Sequence, residues 1–217
     1  MNQNVQIMSL QEDSERIVFV VDDDESMRVA LTHLLRSMGL HVEVFGTATA
    51  FLESQLPNIP SCLVLDIRLP GLNGLEFQDV LARAGIHIPI VFMTGHGDIP
   101  MTVKAMKAGA IDFLSKPFRD QDMLDAVLRA LDQDGKRRDE EKTVSQLRRL
   151  FESLTRRERQ VLTLVISGLM NKEIAYQLEI SEITVKIHRG HMMRKMEARS
   201  LVDLVRTAEM LGIKRTR

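Results

Sequence analysis

The chain has 217 residues, of which 44% are hydrophobic and 27% charged, with a net charge of −1 and a single cysteine, Cys62. This composition is typical of a globular protein with room for two domains, and one cysteine excludes an internal disulfide. No apolar run approaches the ~18 residues of a membrane-spanning helix, and the N-terminal sequence is too polar for a signal peptide. We therefore expect a cytoplasmic protein.

The charge is distributed unevenly along the chain. Residues 1–134 contain 10 basic and 19 acidic residues, a net charge of −9, whereas residues 135–217 contain 19 basic and 11 acidic residues, a net charge of +8. This asymmetry indicates that only the C-terminal part contacts a polyanion such as nucleic acid.

Residues 17 to about 132 alternate between two kinds of segment. Short β-branched runs at 17–21, 41–45, 62–67, 88–94 and 111–115 are separated by stretches of helical period. The first of these stretches, "SMRVALTHLLRSMG", has five apolar residues on one face: Ala30, Leu31, Leu34, Leu35 and Met38. Because strands and helices alternate five times, we predict an α/β doubly wound, five-stranded parallel sheet covered on both faces.

Polar residues follow four of these strands, in the motifs "VVDDDES", "LVLDIRLPGLNG", "FMTGHGD" and "FLSKPF". The carboxyl ends of parallel strands meet at one edge of a sheet, so Asp22, Asp23 and Asp66 should converge there. Clustered carboxylates oppose each other's ionisation unless a cation joins them, and oxygen ligands suit Mg²⁺. Thr94 and Lys116 follow two other strands, where a hydroxyl and an ammonium would bind phosphoryl oxygens.

These four motifs, in this order, resemble the receiver domain of bacterial two-component response regulators over about residues 16–133. The resemblance implies that Asp66 accepts a phosphoryl group from a sensor histidine kinase. It also implies that Asp23, Asp66 and the backbone carbonyl of Arg68 bind Mg²⁺ directly, while Asp22 acts mostly through water.

The resemblance further implies that Thr94 and Lys116 bind the phosphoryl oxygens and that Thr94 and Phe113 form a switch. The receiver pattern needs only two carboxylates after the first strand, so we interpret Asp24 as a surface residue. An alternative is an aspartate phosphohydrolase, because Asp22 and Asp24 have the D-x-D spacing of that class. The threonine two places further on is absent, however, and phosphate trapped at Asp66 rather than Asp22 would indicate a receiver.

Residues 1–15 form an N-terminal tail, and residues 134–150 form a charged linker whose end has helical spacing. The apolar stripe of Val144, Leu147, Phe151 and Leu154 covers only two turns, too short to argue for a coiled coil. We favour a linker helix that docks on its own chain over a dimer seam.

From residue 151 to 217 the pattern is all helical. Thr155 and Glu158 form a capping box, and Asn171 can cap the helix that follows. The stretch "NKEIAYQLEISEITVKIHRG" predicts a helix, a short turn and a second helix. Its buried faces are expected to contain Ile174, Ala175, Leu178, Ile183 and Ile187. The whole region resembles the all-α, four-helix LuxR-type helix-turn-helix domain, and with a receiver it has the arrangement of the NarL/FixJ family.

The second helix of this motif would enter the major groove. It carries Lys186 and Arg189 three residues apart, with His188 between them and Thr184 before them. Lys172 and Lys195, on adjoining elements, are expected to contact phosphate or solvent. The alternative is a purely protein-binding helical module, whose affinity would not fall with salt.

The resemblance implies a DNA-binding transcription factor rather than an enzyme with an external substrate. Phosphorylation would change the surface around residues 99–115 and promote receiver dimerisation and promoter binding, with transcriptional activation favoured and RNA polymerase as a further partner. The alternative is a regulator that ignores phosphorylation and responds only to a partner protein. The complete acidic pocket argues against this alternative.

Overall fold

The computed structural model of the protein describes residues 16–95 and 99–214. These residues divide into two compact units, and the division falls between Arg138 and Asp139. The predicted N-terminal tail, residues 1–15, lies outside the described residues. Within the described ranges, no helix combines the length and the apolar character needed to cross a membrane.

The first unit contains a five-stranded parallel sheet with the strand order β2-β1-β3-β4-β5. The strands are β1 (Ile17–Val21), β2 (His41–Phe45), β3 (Ser61–Asp66), β4 (Ile90–Thr94) and β5 (Asp112–Ser115). In the register of the sheet, Val20 pairs with Val44 on one side and Val64 on the other. The order reverses between β1 and β3, which places a crevice at the carboxyl ends of these two strands.

Helices cover both faces of this sheet. They are α1 (Glu25–Ser37), α2 (Ala48–Leu52), α3 (Gly74–Arg83), α4 (Ile99–Lys107) and the start of the long helix α5 (Asp120–Glu152). On one face Phe19 packs with Phe51 and Phe77, and on the other Val18 and Val20 pack with residues of α1 and α5. Both faces of β1 are buried, as its uninterrupted apolar sequence predicts. The predicted doubly wound fold is therefore confirmed.

The region predicted to be a linker, residues 134–150, lies within α5. Asp134 is buried, and its carboxylate accepts hydrogen bonds from the Ser61 N–H at 2.9 Å and from Arg138 Nε at 2.6 Å. Arg138 also donates to Asn58 Oδ1 at 2.8 Å. These contacts attach the start of this region to the amino end of β3, and local periodicity does not indicate them because the partners lie more than 70 residues apart.

The second unit contains four helices after the end of α5. They are α6 (Arg156–Ile166), α7 (Asn171–Leu178), α8 (Glu182–Lys195) and α9 (Leu201–Met210). The predicted capping box is present: Thr155 Oγ1 accepts from the Glu158 N–H at 3.2 Å, and the Glu158 carboxylate accepts from the Thr155 N–H at 2.8 Å. Phe151, at the end of α5, is partly buried, and Leu154, just after the helix, is buried; both pack in the core of this unit.

Two expectations about this unit are wrong. Met170, not Asn171, is the N-cap of α7, because the side chain of Asn171 instead accepts a hydrogen bond from Arg189. Ile183 and Ile187 were expected to be buried but are 71% and 51% exposed. Helix α8 buries Val185 and Met192 instead, and a helix cannot turn both stripes toward one core.

Candidate phosphoryl-acceptor site and DNA-contact surface

The predicted acidic residues meet at the carboxyl end of the sheet. Asp22 follows β1, and Asp66 is the last residue of the neighbouring strand β3. One carboxylate oxygen each of Asp22, Asp23 and Asp66 lies within 4.8 Å of the others. Asp22 and Asp66 are buried, whereas Asp23 is exposed. The fold therefore brings together carboxylates that are 44 positions apart in the sequence.

The three consecutive aspartates have different surroundings. Asp22 Oδ1 accepts from the Asp24 N–H at 2.9 Å, and Asp22 Oδ2 accepts from Lys116 Nζ at 2.7 Å. Asp24 is the N-cap of α1, where its side chain accepts from the Ser26 N–H at 2.8 Å. Asp24 thus satisfies a helix terminus at the surface, while Asp22 and Asp23 face the pocket.

At Asp66 the charged form is disfavoured. Burial raises the pKa of the Asp66 carboxyl, the nearby Asp22 and Asp23 raise it further, and Lys116 and a backbone hydrogen bond from Arg68 lower it. Lys116 Nζ lies 3.6 Å from Asp66 Oδ1. This buried oxygen has no hydrogen-bond partner among the described residues. A buried acceptor without a donor is costly unless a cation or a new covalent bond uses its lone pairs.

This donor set fits a small divalent cation. Three carboxylates and one ammonium carry a combined charge of −2 when ionised, which one divalent ion would neutralise. Hard carboxylate oxygens with room for water are typical of Mg²⁺ sites. The residues that would hold the ion are Asp22, Asp23 and Asp66, whose carboxylate oxygens lie close together.

The two other strand ends complete the pocket. Thr94 is the buried last residue of β4, and its backbone carbonyl accepts from the Lys116 N–H at 2.7 Å. Phe113, in β5, is partly buried, with its ring centroid 6.4 Å from that of Phe92. The structure thus places Thr94 and Lys116 beside each other at the edge that carries Asp66.

Sequence reasoning missed the role of Arg28 at this site. One guanidinium nitrogen of Arg28, in α1, donates to the backbone carbonyls of Asp22 at 2.7 Å and Asp23 at 3.0 Å. Arg28 therefore fixes the backbone from which both carboxylates project. The only signal in the sequence is a basic residue about one helical turn after the acidic motif, which is common on exposed helix faces.

Gly74 also shapes the pocket. A Cβ atom at this position would lie 2.8 Å from the backbone oxygen of Asp66 and 2.9 Å from the Cα of Ile67. The glycine of "LNG" is needed because the first turn of α3 packs directly on the end of β3.

The six predicted DNA-contact residues have different surroundings. Lys172 and Lys186 are exposed, and His188 is half-buried. The three others bond within the protein. Thr184 Oγ1 lies 2.8 Å from Ser181 Oγ, Arg189 donates to Asn171 Oδ1 at 3.0 Å, and Lys195 donates to Glu158 Oε2 at 2.7 Å.

The Glu158–Lys195 pair joins α6 to α8. Burial of Glu158 opposes its ionisation, but hydrogen bonds from Lys195 and from Thr155 outweigh this effect and lower the pKa of the carboxyl. Lys195 Nζ also donates to the carbonyl of Ser153 at 3.3 Å. These contacts give Lys195 a structural role that sequence reasoning did not identify.

Comparison with known proteins shows the class. Residues 18–128 match the response regulator receiver domain, and residues 152–208 match the bacterial regulatory proteins of the luxR family. The chain belongs to the response regulators of the NarL/FixJ family, and its C-terminal part is a LuxR-type helix-turn-helix DNA-binding domain. The resemblance stated from the motifs is thus confirmed.

Individual relatives align with this protein over nearly its full length. Nodulation protein W of Bradyrhizobium diazoefficiens is 62% identical over 92% of this chain and 88% of its own length. The transcriptional regulatory protein FixJ of Azorhizobium caulinodans is 44% identical over 90% of this chain and 93% of its own. The solved structure of the response regulator StyR is 54% identical and has a TM-score of 0.82, with 90% of this chain and 98% of that chain covered.

Proposed function

We propose that this protein is a cytoplasmic response regulator that a sensor histidine kinase phosphorylates on Asp66. The observation that carries this proposal is the buried, unsatisfied oxygen of Asp66 beside Asp22, Asp23 and Lys116. Asp22, Asp23 and Asp66 would hold Mg²⁺, which would neutralise negative charge when the phosphoryl group is bound. Lys116 and Thr94 would hold the other phosphoryl oxygens.

The chemistry at Asp66 is a phosphoryl transfer. The carboxylate of Asp66 attacks the phosphorus of a phosphohistidine, an oxygen–phosphorus bond forms, and the histidine nitrogen leaves with the electron pair of the broken bond. Water later attacks the phosphorus, which restores the carboxylate and releases inorganic phosphate. In this scheme the protein is phosphorylated and dephosphorylated only at its own Asp66. We therefore infer a phosphoacceptor and not an enzyme with an external substrate.

The next step of the proposal is dimerisation of the receiver. Phosphorylation would draw in Thr94, Phe113 would follow, and the surface of α4 and β5 would change. Helix α4 has an exposed apolar stripe, with Ile99 80%, Val103 44% and Met106 43% exposed. An apolar stripe of this kind favours pairing with a second receiver.

Dimerisation would raise affinity for promoter DNA by bringing two helix-turn-helix domains to two half-sites. Exposed Lys172 and Lys186 would contact phosphates or base edges, with Thr184, His188, Arg189 and Lys195 beside them. Bound at a promoter, the protein would favour transcriptional activation, with RNA polymerase as a partner.

The experiment that tests the phosphoacceptor is chemical mapping. The full-length protein is incubated with acetyl phosphate and Mg²⁺, reduced with borohydride and digested, and the modified aspartate is located by mass spectrometry. We expect modification at Asp66, and none when Mg²⁺ is omitted. Modification at Asp22 would instead support the phosphohydrolase alternative and overturn the proposal.

A further inference from the structure

The outward face of α8 carries two exposed isoleucines among charged and polar residues. Ile183, Lys186, Ile187 and Gly190 are all exposed, and their spacing places them on one side of the helix, while Val185 and Met192 face the core. Ile183, in the first turn after the N-cap Ser181, is 71% exposed, and Ile187, one turn later, is 51% exposed. An apolar patch therefore lies on the helix that the proposed function places in the major groove.

The charges around this patch favour nucleic acid as the surface it contacts. Exposed Lys186 lies between the two isoleucines, and exposed Arg194 lies on the same face of α8. Exposed Glu182 is adjacent to Ile183, but residues 135–217 carry a net charge of +8. The positive end of the α8 dipole is also at the turn that carries Ile183. A polyanion is complementary to this surface, whereas an acidic or apolar patch on a protein would match only part of it.

Two polar side chains of α8 that could hydrogen-bond to base edges are already bonded within the protein. The hydroxyl of Thr184 is within hydrogen-bond distance of Ser181, and Arg189 donates to Asn171. The major groove displays one apolar group, the C5-methyl of thymine, and an apolar side chain that contacts it distinguishes thymine from the other bases. Ile183 is the most exposed apolar residue of α8 and can cover such a methyl.

Gly190 is consistent with a close approach of this face to DNA. A Cβ atom at this position would meet nothing within 4 Å, so packing within the chain does not require a glycine here. Without a side chain, the third turn of α8 allows the helix to lie deeper in a groove.

We propose that Ile183 determines sequence specificity by contacting a thymine methyl group, so that the preferred half-sites carry thymine opposite the first turn of α8. This inference rests on the proposed DNA-binding function. Burial of one methyl against an apolar side chain corresponds to about a fourfold change in affinity.

The test uses DNA selected by the protein itself. Full-length protein treated with acetyl phosphate and Mg²⁺ selects duplexes from a random library, and each thymine of the selected half-site is then replaced by deoxyuridine, which removes only the methyl group. We expect one or two replacements to weaken wild-type binding about three- to tenfold. With Ile183→Ala the penalty for at least one of these replacements should fall to less than twofold.

The matched control is Val29→Ala, which truncates another exposed β-branched residue, on α1 of the receiver. This variant should keep the full deoxyuridine penalty. If no replacement weakens wild-type binding, or if Ile183→Ala keeps every penalty, the inference is overturned.

If the wild-type protein selects no DNA at all, the proposed function fails instead. If Ile183→Ala binds and discriminates normally but loses promoter activity, the patch contacts a protein. The deoxyuridine series on the wild-type protein tests the inference even if Ile183→Ala does not fold.

Discussion

Burial of the Asp66 carboxyl raises its pKa, and the positive charge of Lys116 lowers it, but burial has the larger effect. The folded protein raises the pKa of this carboxyl, so between its ordinary value and its folded value the folded state binds more protons than the unfolded chain. The free energy of unfolding therefore falls as pH rises through this range, because the ionised form of Asp66 is less compatible with the folded state than the protonated form. A cation or a phosphoryl group relieves this cost.

We therefore predict that Asp66→Asn raises the melting temperature by roughly 2–6 °C at pH 7 without Mg²⁺. The gain should shrink as pH falls toward the ordinary carboxyl range, where the wild-type side chain is protonated in both states. Circular dichroism melts over this pH range provide the measurement.

The matched control is Asp24→Asn, since asparagine is also a good N-cap and Asp24 is exposed. This variant should melt within about 2 °C of wild type. An Asp66→Asn variant that is less stable than wild type at pH 7 would contradict the role assigned to burial.

The pocket residues could be predicted from the sequence because each lies at or just after the carboxyl end of a predicted strand. Asp22, Asp66, Thr94 and Lys116 needed only the rule that parallel strands end at one edge. The role of Arg28 could not be predicted, because its partners are backbone carbonyls. Every residue has a backbone carbonyl, so the sequence does not indicate which carbonyls accept a side-chain hydrogen bond.

At the scale of elements, a partly buried ion pair between Lys195 and Glu158 joins α8 to α6. Lys195→Met removes the donor from Glu158, whose side chain is only 3% exposed and would keep an unpaired charge. We predict a loss of about 1–3 kcal/mol in the free energy of unfolding of the second unit, measured by urea denaturation.

The control for this prediction is Arg194→Met, which removes an exposed positive charge from the adjacent position of α8. It should change the free energy of unfolding by less than about 0.5 kcal/mol. Equal effects of the two substitutions would show that net charge, and not the pair, stabilises α8.

Helix α8 also shows what periodicity cannot decide. Ile183 and Ile187 have helical spacing, but so do Val185 and Met192, and the sequence contains two apolar faces for one core. Packing against α6 and α7 buries the face of α8 that contains Val185. The sequence of α8 alone does not indicate which of its two apolar faces is buried. The number and order of the four helices were predictable because caps and turns are local, whereas the choice of face depends on tertiary contacts.

At the scale of the whole molecule, an acidic receiver unit and a basic LuxR-type DNA-binding unit lie in one chain. The sequence predicted both units from their charges and motifs. It could not predict the polar contacts that Asp134 and Arg138 make within the first unit, because these join residues far apart in the chain. In the proposed mechanism, phosphorylation of the first unit raises the affinity for promoter DNA because it brings two copies of the second unit together.

The most direct test of this mechanism is DNA affinity with and without a phosphodonor. Full-length wild type, Asp66→Asn and Asp24→Asn are titrated onto selected duplexes in Mg²⁺ at fixed salt, before and after treatment with acetyl phosphate. We predict that treatment tightens binding by wild type and Asp24→Asn at least tenfold, and leaves Asp66→Asn unchanged. An equal gain for Asp66→Asn would contradict the account.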